Sequence, residues 1–166
     1  GDCLGQGKAF EEDLVLIDLE SDHVVELKVK PREEKMFRAL CLGVSDYFKK
    51  TGHTEAVLGL SGGIDSALVA VIAADALGAE NIHGISLPSK YSSDHSLSDA
   101  QALADNLSID YRILPIQEAV EGLETVLHPH FLGMEPNVAE ENIQARARGN
   151  LLMALSNKFG WMVLST

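Results

Sequence analysis

Apolar residues follow two alternating patterns along most of this chain, and together they predict its secondary structure. Short apolar runs, typical of buried strands, occupy residues 56–60, 82–87, 111–114 and 161–164. Helical spacing of apolar residues marks five further stretches: 33–50, 66–77, 95–107, 116–127 and 138–159. Strands separated by helices indicate an α/β fold with a parallel sheet and helices on both faces, which binds its ligands at the carboxyl ends of the strands.

The first thirty residues depart from this alternation. Residues 1–7 are predicted to be irregular, and apolar runs at residues 14–19 and 24–29 predict two short strands joined at Ser21-Asp22. Pro31 interrupts the pattern just before the first helix. The sequence therefore predicts a small hairpin or the end of another domain over residues 1–30, and an α/β domain over residues 31–166.

Composition and charge narrow the classes of function. With 46% hydrophobic residues among 166, the chain can bury one core. Thirteen Lys and Arg against 25 Asp and Glu give a formal net charge of −12, which opposes general binding to nucleic acid or to an anionic membrane. No apolar stretch approaches the roughly 20 residues that cross a bilayer, and no signal peptide is recognisable. We therefore expect a cytoplasmic protein that binds any nucleotide through a local site.

Cysteine and histidine positions predict no metal site. Cys3 and Cys41 lack CxxC spacing, so neither zinc ligation nor a disulfide framework is indicated. Cys41 lies in a helical apolar pattern, which favours a buried structural thiol. Five histidines without ligand spacing are expected at the surface or in turns: His53, His83, His95, His128 and His130. Trp161 is expected in the core at the start of the last strand.

The main chemical signal is the loop between the strand at 56–60 and the helix that follows it. This loop reads Gly59-Leu60-Ser61-Gly62-Gly63-Ile64-Asp65-Ser66. Adjacent glycines let a phosphate approach the backbone, the helix start offers free N–H groups, and the two serines add hydroxyls. Asp65 would repel a phosphate unless it holds Mg²⁺ against a pyrophosphate, so it is the candidate metal ligand. The alternative is a plain Gly-Gly turn with Ser66 as the helix N-cap.

This loop is neither a Walker A loop nor a GxGxxG loop. It resembles the SGGxDS loop of the ATP pyrophosphatases, which implies that ATP is cleaved between its α and β phosphates, that a substrate is adenylated, and that a nucleophile then displaces AMP. Two further stretches resemble the glutamine-dependent NAD synthetases: Leu87-Pro88-Ser89-Lys90-Tyr91-Ser92-Ser93 and Glu141-Asn142-Ile143-Gln144-Ala145-Arg146-Ala147-Arg148. The resemblance covers residues 31–166 and implies an adenine nucleotide alpha hydrolase-like, Rossmann-like fold.

The resemblance also implies roles for single residues. Asp65 and Ser61 would be catalytic, with Asp65 as the Mg²⁺ ligand. ATP would contact the whole loop and two residues beyond it: Gly59, Leu60, Ser61, Gly62, Gly63, Ile64, Asp65, Ser66, Leu87 and Thr166. Asn142 and Arg146, which are four residues apart and so share a helical face, would contact deamido-NAD. The alternative for this pair is a solvated helix face with an acidic neighbour paired to an arginine.

Neighbouring polar residues are expected to be structural. Gln144 and Arg148 would point away from the face that Asn142 and Arg146 share. Three serines are each expected to cap the helix that starts near residue 95: Ser92, Ser93 and Ser96.

By the same resemblance, the whole enzyme would use ATP, Mg²⁺ and ammonia supplied from glutamine to amidate deamido-NAD to NAD, releasing AMP and pyrophosphate, and would form a homodimer or larger assembly. Residues 1–30 resemble the end of a nitrilase-like glutaminase domain whose catalytic residues would precede Gly1, so glutamine hydrolysis is not expected of this chain. A loop that completes the family's active site would follow Thr166, so the α/β domain is expected to be incomplete.

Two rival interpretations stay open at this point. One is another adenylating amidotransferase, such as a GMP synthetase, which would need a different acceptor pocket. The other is a module of the same fold that binds ATP without chemistry. Asp65 argues against the second, because a protein that only binds the nucleotide has less need of a metal ligand at the pyrophosphate.

Overall fold

A computed structural model describes residues 2–20, 24–27, 29–90 and 93–165 of the chain. These residues form five α-helices: α1 (Arg32–Thr51), α2 (Ile64–Leu77), α3 (Asp94–Leu107), α4 (Gln117–Leu127) and α5 (Val138–Phe159). Four strands alternate with them: β1 (Ala56–Gly59), β2 (Ile82–Ser86), β3 (Asp110–Ile113) and β4 (Met162–Leu164). Short 3₁₀ turns lie at Ala79–Asn81 and His128–His130.

The four strands make one parallel sheet in the order β3-β2-β1-β4. All five residues of β2 are buried, as expected of a central parallel strand that is covered on both faces. The register places Ala56 beside Ile82 on one side and beside Met162 on the other. The predicted α/β fold is therefore confirmed.

Side chains alternate between two cores because successive residues of a strand point to opposite faces. Leu58 of β1 packs with α1, α2 and α3, where it meets Phe48, Ala70 and Ala104. Val57, its neighbour in β1, packs on the other face with residues of α4 and α5. The sheet therefore packs against α1, α2 and α3 through one apolar layer and against α4 and α5 through the other.

Helix ends follow local capping rules. α1 carries Glu33 and Glu34 in its first turn and Lys49 and Lys50 in its last, which suits the helix dipole, and it ends at Gly52 with φ of 75°. The predicted helix at 33–50 is confirmed. α5 begins with a capping box in which Asn137 and Glu140 satisfy each other's backbone N–H groups, and it ends at Gly160.

The two predicted amino-terminal strands are wrong for the residues described; Lys28, within the second run, lies outside them. Residues 14–18 and 24–27 form no strand, and Leu14 and Leu16 are 84% and 90% exposed. One backbone bond, from Val25 N to Cys3 O at 2.8 Å, crosses this region. An apolar run predicts only that a segment could be buried in a sheet, and a strand also needs a neighbouring backbone to pair with.

The prediction that His83 is a surface or turn residue is also wrong. His83 is the second residue of β2 and is 7% exposed. Its Nδ1 lies 2.9 Å from Asp110 Oδ2 and its Nε2 lies 2.9 Å from Glu55 Oε2. The ring stacks on Trp161 with centroids 3.6 Å apart, and Trp161 Nε1 donates to the same Glu55 oxygen at 3.0 Å. Four polar and aromatic side chains therefore satisfy one another at the amino ends of the strands.

The other expectations for these residue types hold. Trp161 is buried immediately before β4. Cys41 is buried, and burial together with the nearby Asp75 raises its pKa to about 11, as expected of a structural thiol. His95, His128 and His130 are exposed. Among the residues described, no helix is long and apolar enough to cross a membrane.

Candidate active site

A cleft of about 870 Å³ opens at the carboxyl ends of the strands, where α/β sheets bind their ligands. Its floor is formed by the ends of β1, β2 and β4, including Gly59, Ile85 and Leu164. Leu60, Ser61, Asp65 and Ser66 of the 59–66 loop form one wall, and α5 forms the other through Gly149 and Leu152. The volume of the cleft is in the range of sites that hold nucleotide-sized ligands. The remaining loop residues predicted to contact ATP, Gly62, Gly63 and Ile64, line a second cavity of about 300 Å³ against α3.

The loop needs glycine at residue 62 for two reasons. Gly62 has a φ of 77°, a backbone conformation that residues with a Cβ rarely adopt. A Cβ at this position would also lie 2.4 Å from the carbonyl oxygen of Ser96, at the start of α3. The backbone therefore turns tightly and rests against α3. Gly63 follows in an extended conformation and is the N-cap of α2.

Two serine hydroxyls brace this turn. Ser66 Oγ donates to the Gly63 carbonyl at 3.0 Å and accepts from the Ser61 backbone N–H at 3.3 Å. Ser61 Oγ accepts from Gly63 N–H at 3.2 Å and lies 3.0 Å from Ser66 Oγ. Because the single hydroxyl hydrogen of Ser66 goes to Gly63, Ser61 is the donor of the pair. Ser61 is exposed and can redirect that hydrogen to a ligand, whereas Ser66 is buried and holds the loop in shape.

The start of α2 supplies further donors. The helix begins at Ile64, not at residue 66, so Ser66 is not its N-cap and the plain-turn alternative fails on that point. Gly63 has no side chain to cap the first turn, which leaves the first N–H groups of the helix, with the positive end of its dipole, available to an anion.

Asp65 is the acidic side chain that lines the cleft. It is exposed in the first turn of α2, beside the N–H donors. No group of three or more His, Cys, Asp or Glu side chains that could hold a metal ion occurs in the part of the chain that the structure describes. One carboxylate still fits Mg²⁺, which is usually held by one or two carboxylates together with the phosphates of its nucleotide.

The end of β2 is tied to the loop and to β3 by the hydroxyl of Ser86. Ser86 Oγ donates to the Leu60 carbonyl at 2.9 Å and accepts from Tyr111 Oη at 2.8 Å. Leu87, predicted to contact ATP, lines the cleft directly after this strand. Ser93 caps α3, accepting from Ser96 N–H at 3.2 Å, as predicted. Two other residues with predicted roles lie outside the described residues: Ser92 and Thr166.

The face of the long helix α5 that lines the cleft is not the expected one, which carries Asn142 and Arg146. Asn142 and Arg146 are exposed and are not among the residues that line the cleft, whereas Arg148 lines it. Arg148 Nε donates to the Leu87 carbonyl at 3.1 Å, across 61 positions of sequence. Residues 146 and 148 are about 200° apart around a helix, so both cannot face one cleft.

Arg148 thus points away from the face that Asn142 and Arg146 share, as predicted, but its own face of α5 is the one that lines the cleft. The sequence contained one indication of this orientation. Arg148 lies four residues before the apolar Leu152, so the two share a helical face, and Leu152 is half-buried in the same cleft. Gln144 lines a separate cavity of about 220 Å³ between α4 and α5, where it meets Gln117 and Glu140.

The chain is similar in sequence to curated NAD(+) synthetases. The chain is 43% identical along its whole length to a glutamine-dependent NAD(+) synthetase of Thermotoga maritima, and covers 35% of that protein. It is 48% identical, again along its whole length, to the enzyme of the same description from Synechocystis, and covers 31% of it. The chain thus spans about a third of the length of these curated relatives.

Solved structures share the fold. A glutamine-dependent NAD+ synthetase from Acinetobacter baumannii, in complex with ADP, superposes with a TM-score of 0.84 at 40% identity, over 86% of this chain and 27% of that one. An NH3-dependent NAD synthetase from Campylobacter jejuni superposes with a TM-score of 0.73 at 31% identity, over 82% of this chain and 57% of that one. The family model described as NAD synthase matches residues 36–166, which include the whole sheet and the cleft. The chain therefore belongs to the NAD synthase family.

Proposed function

We propose that this chain is the ATP-binding part of an enzyme that amidates deamido-NAD to NAD. The observation that carries the proposal is the 59–66 loop, which combines a tight glycine turn and a free helix start with one carboxylate that lines a cleft at the carboxyl ends of the strands. A phosphate chain fits such a loop, because backbone N–H groups and the helix dipole attract it.

The reaction has two steps. A carboxylate oxygen of the nicotinate group attacks the α-phosphorus of ATP, the bond from that phosphorus to the bridging oxygen of the β-phosphate breaks, and pyrophosphate leaves. Ammonia then attacks the acyl carbon, AMP leaves with the bonding electrons, and the nitrogen loses a proton to give the amide. No side chain forms a covalent bond, so catalysis consists of alignment and of charge stabilisation.

Residues of the loop divide these tasks. Ser61 donates its hydroxyl hydrogen to a phosphate oxygen after releasing Ser66, while the N–H groups at the start of α2 hold the phosphates in place. Asp65 would hold Mg²⁺, which supplies positive charge to the leaving pyrophosphate. Leu87 gives the cleft an apolar surface at the end of β2 for the adenine base.

Asn142 and Arg146 are proposed to contact deamido-NAD from the exposed face of α5. Their exposure leaves them free to meet the dinucleotide or a second subunit, and an assembly of two or more copies is part of the proposal. Ammonia would come from glutamine, consistent with the names of the two curated relatives described above. Residues 1–30 would then be the end of the glutaminase domain.

Calorimetric titration tests the proposal. We expect the chain to bind ATP with Mg²⁺, and to bind deamido-NAD but not xanthosine monophosphate, the acceptor of a GMP synthetase. Asp65→Asn should weaken the binding of ATP in the presence of Mg²⁺ and have much less effect in its absence. Asp75→Asn removes the same charge from a later turn of α2 and is the matched control. Failure to bind ATP, or binding of xanthosine monophosphate in place of deamido-NAD, would contradict the proposal.

A further inference from the structure

Arg148 is the basic side chain of the cleft. Among the described residues that line the cleft, it carries the one formal positive charge and Asp65 the one negative charge. The chain as a whole has a net charge of −12. A triphosphate bears several negative charges, and the dipole of α2 offers only about half a positive charge. The cleft therefore contains one cationic side chain that can offset part of the charge of a bound nucleotide.

The guanidinium is also held in place before any ligand arrives. Its Nε donates to the Leu87 carbonyl at 3.1 Å, and Leu87 is 8% exposed at the end of β2. Within the described part of the chain, this is the hydrogen bond that the Arg148 side chain makes. A guanidinium has five N–H donors in a planar fork, so four remain on the two Nη atoms. Arginine in this state binds phosphate through two parallel hydrogen bonds with little further loss of freedom.

We infer that Arg148 is a nucleotide-binding residue that makes the cleft specific for phosphate-bearing ligands over the neutral nucleoside. The inference rests on the proposed function, since it assigns a contact to the same nucleotide. Its physical basis is the pairing of a fixed fork of donors with phosphate oxygens in a cleft with no other cationic side chain among its described residues. The competing role is a purely structural link between α5 and β2, which would affect every ligand equally.

Titration of ATP, ADP and adenosine without added metal separates these roles. In Arg148→Gln, we expect the Kd for ATP and for ADP to rise about tenfold or more, because a hydrogen bond to a charged group is lost. The Kd for adenosine should change by less than about twofold. Arg148→Lys keeps the charge but loses the fork, and should fall between wild type and Arg148→Gln. Lys158→Gln removes a cation from the last turn of the same helix and should leave all three affinities unchanged.

Other outcomes of these titrations would separate a structural role of Arg148 from a failure of the proposed function. Equal weakening of ATP and adenosine would assign Arg148 to the structural link and overturn the inference, as would unchanged ATP binding in Arg148→Gln. If Arg148→Gln does not fold, Arg148→Lys decides between the roles by the same ratio of ATP to adenosine affinity. If the wild-type chain binds no ATP, the proposed function fails first, which is a different outcome from loss of the phosphate preference alone.

Discussion

The two ends of the sheet carry similar polar side chains, but those at the amino ends are hydrogen-bonded to one another, whereas those at the carboxyl ends face an open cleft. At the amino ends, His83 lies between Glu55 and Asp110, and each polar group faces a partner. At the carboxyl ends, Asp65 and the first turn of α2 face an open cleft. Residue type does not separate the two ends, since both contain carboxylates. What separates them is whether the donors and acceptors are already paired, and unpaired groups at the carboxyl ends are the ones left for a ligand.

This contrast predicts that changes at the carboxyl ends alter binding, whereas changes at the amino ends alter stability. The largest effect should come from Gly62→Ala. A residue with a Cβ costs about 1–2 kcal/mol in the left-handed conformation, and this Cβ would also meet the Ser96 carbonyl oxygen at 2.4 Å. The loop must shift, and we expect the Kd for ATP to rise about a hundredfold or more in calorimetric titration.

Gly122→Ala is the control for Gly62→Ala. Gly122 lies inside α4 with open space around it, so alanine there should raise the melting temperature by reducing the freedom of the unfolded chain. ATP binding should not change. Wild-type affinity in Gly62→Ala would contradict the role of the turn and weaken the whole contrast between the two ends.

Much of this site could be predicted from sequence because its determinants are local. The four strands lie where the apolar runs predicted them, and the loop follows β1 directly. Backbone conformation in the loop depends on residues next to one another, such as Gly62 and Gly63, so a short motif contains most of the information.

Three features could not be predicted because their determinants are distant in sequence. His83 meets Glu55 and Asp110 across 28 and 27 positions, and only the register of parallel strands brings them together. Arg148 meets Leu87 across 61 positions. The run at residues 14–19 looks like a strand, but sequence alone does not tell whether another backbone lies beside it. Glu55, His83 and Asp110 all lie near the starts of predicted strands. A search for charged or titratable residues at those positions could have grouped them.

The next largest effect is expected at the amino ends. His83→Leu removes the group between two carboxylates and leaves Glu55 and Asp110 without it. The side chains of Glu55 and Asp110 are 42% and 38% exposed, so water can partly replace the lost hydrogen bonds. We therefore expect a loss of about 2 kcal/mol in the free energy of unfolding. Denaturant titration measures this loss. ATP affinity of the folded variant should stay within about twofold of wild type.

His130→Leu tests whether the loss is specific to the buried position. His130 is exposed in the 3₁₀ turn after α4, and its replacement should change stability by less than about 0.5 kcal/mol. Weaker ATP binding in His83→Leu, with stability unchanged, would reverse the assignment of the two ends.

A smaller effect should appear as a dependence on pH. Burial raises the pKa of Asp110, but hydrogen bonds from His83 and Arg112 outweigh it and hold that pKa below its ordinary value. A carboxyl with a lowered folded-state pKa adds stability that is fully present above its unfolded pKa of about 3.9 and is lost as the pH falls through the folded value. Asp110→Asn should therefore lower the free energy of unfolding at pH 7, by less than about 1 kcal/mol because the side chain is 38% exposed and screened by solvent, and by a smaller amount at pH 3.

Denaturant titration at both pH values checks this expectation. Asp105→Asn, on the exposed side of α3, should show no such difference between the two conditions. An Asp110→Asn variant with the same stability loss at both pH values would show that the charge of Asp110 does not contribute.

The smallest expected effect sharpens the contrast within the carboxyl ends themselves. Ser86 lines the cleft, yet it is 1% exposed and both of its hydrogen bonds are made inside the protein, to Leu60 and Tyr111. If pairing rather than location decides function, Ser86→Ala should cost about 1 kcal/mol of stability and leave the Kd for ATP within about twofold. Ser61→Ala, which removes an exposed hydroxyl from the loop, should do the reverse, weakening ATP binding several-fold with little change in stability. Greater loss of ATP binding in Ser86→Ala than in Ser61→Ala would show that position along the strand, and not the pairing of polar groups, separates the two ends of the sheet.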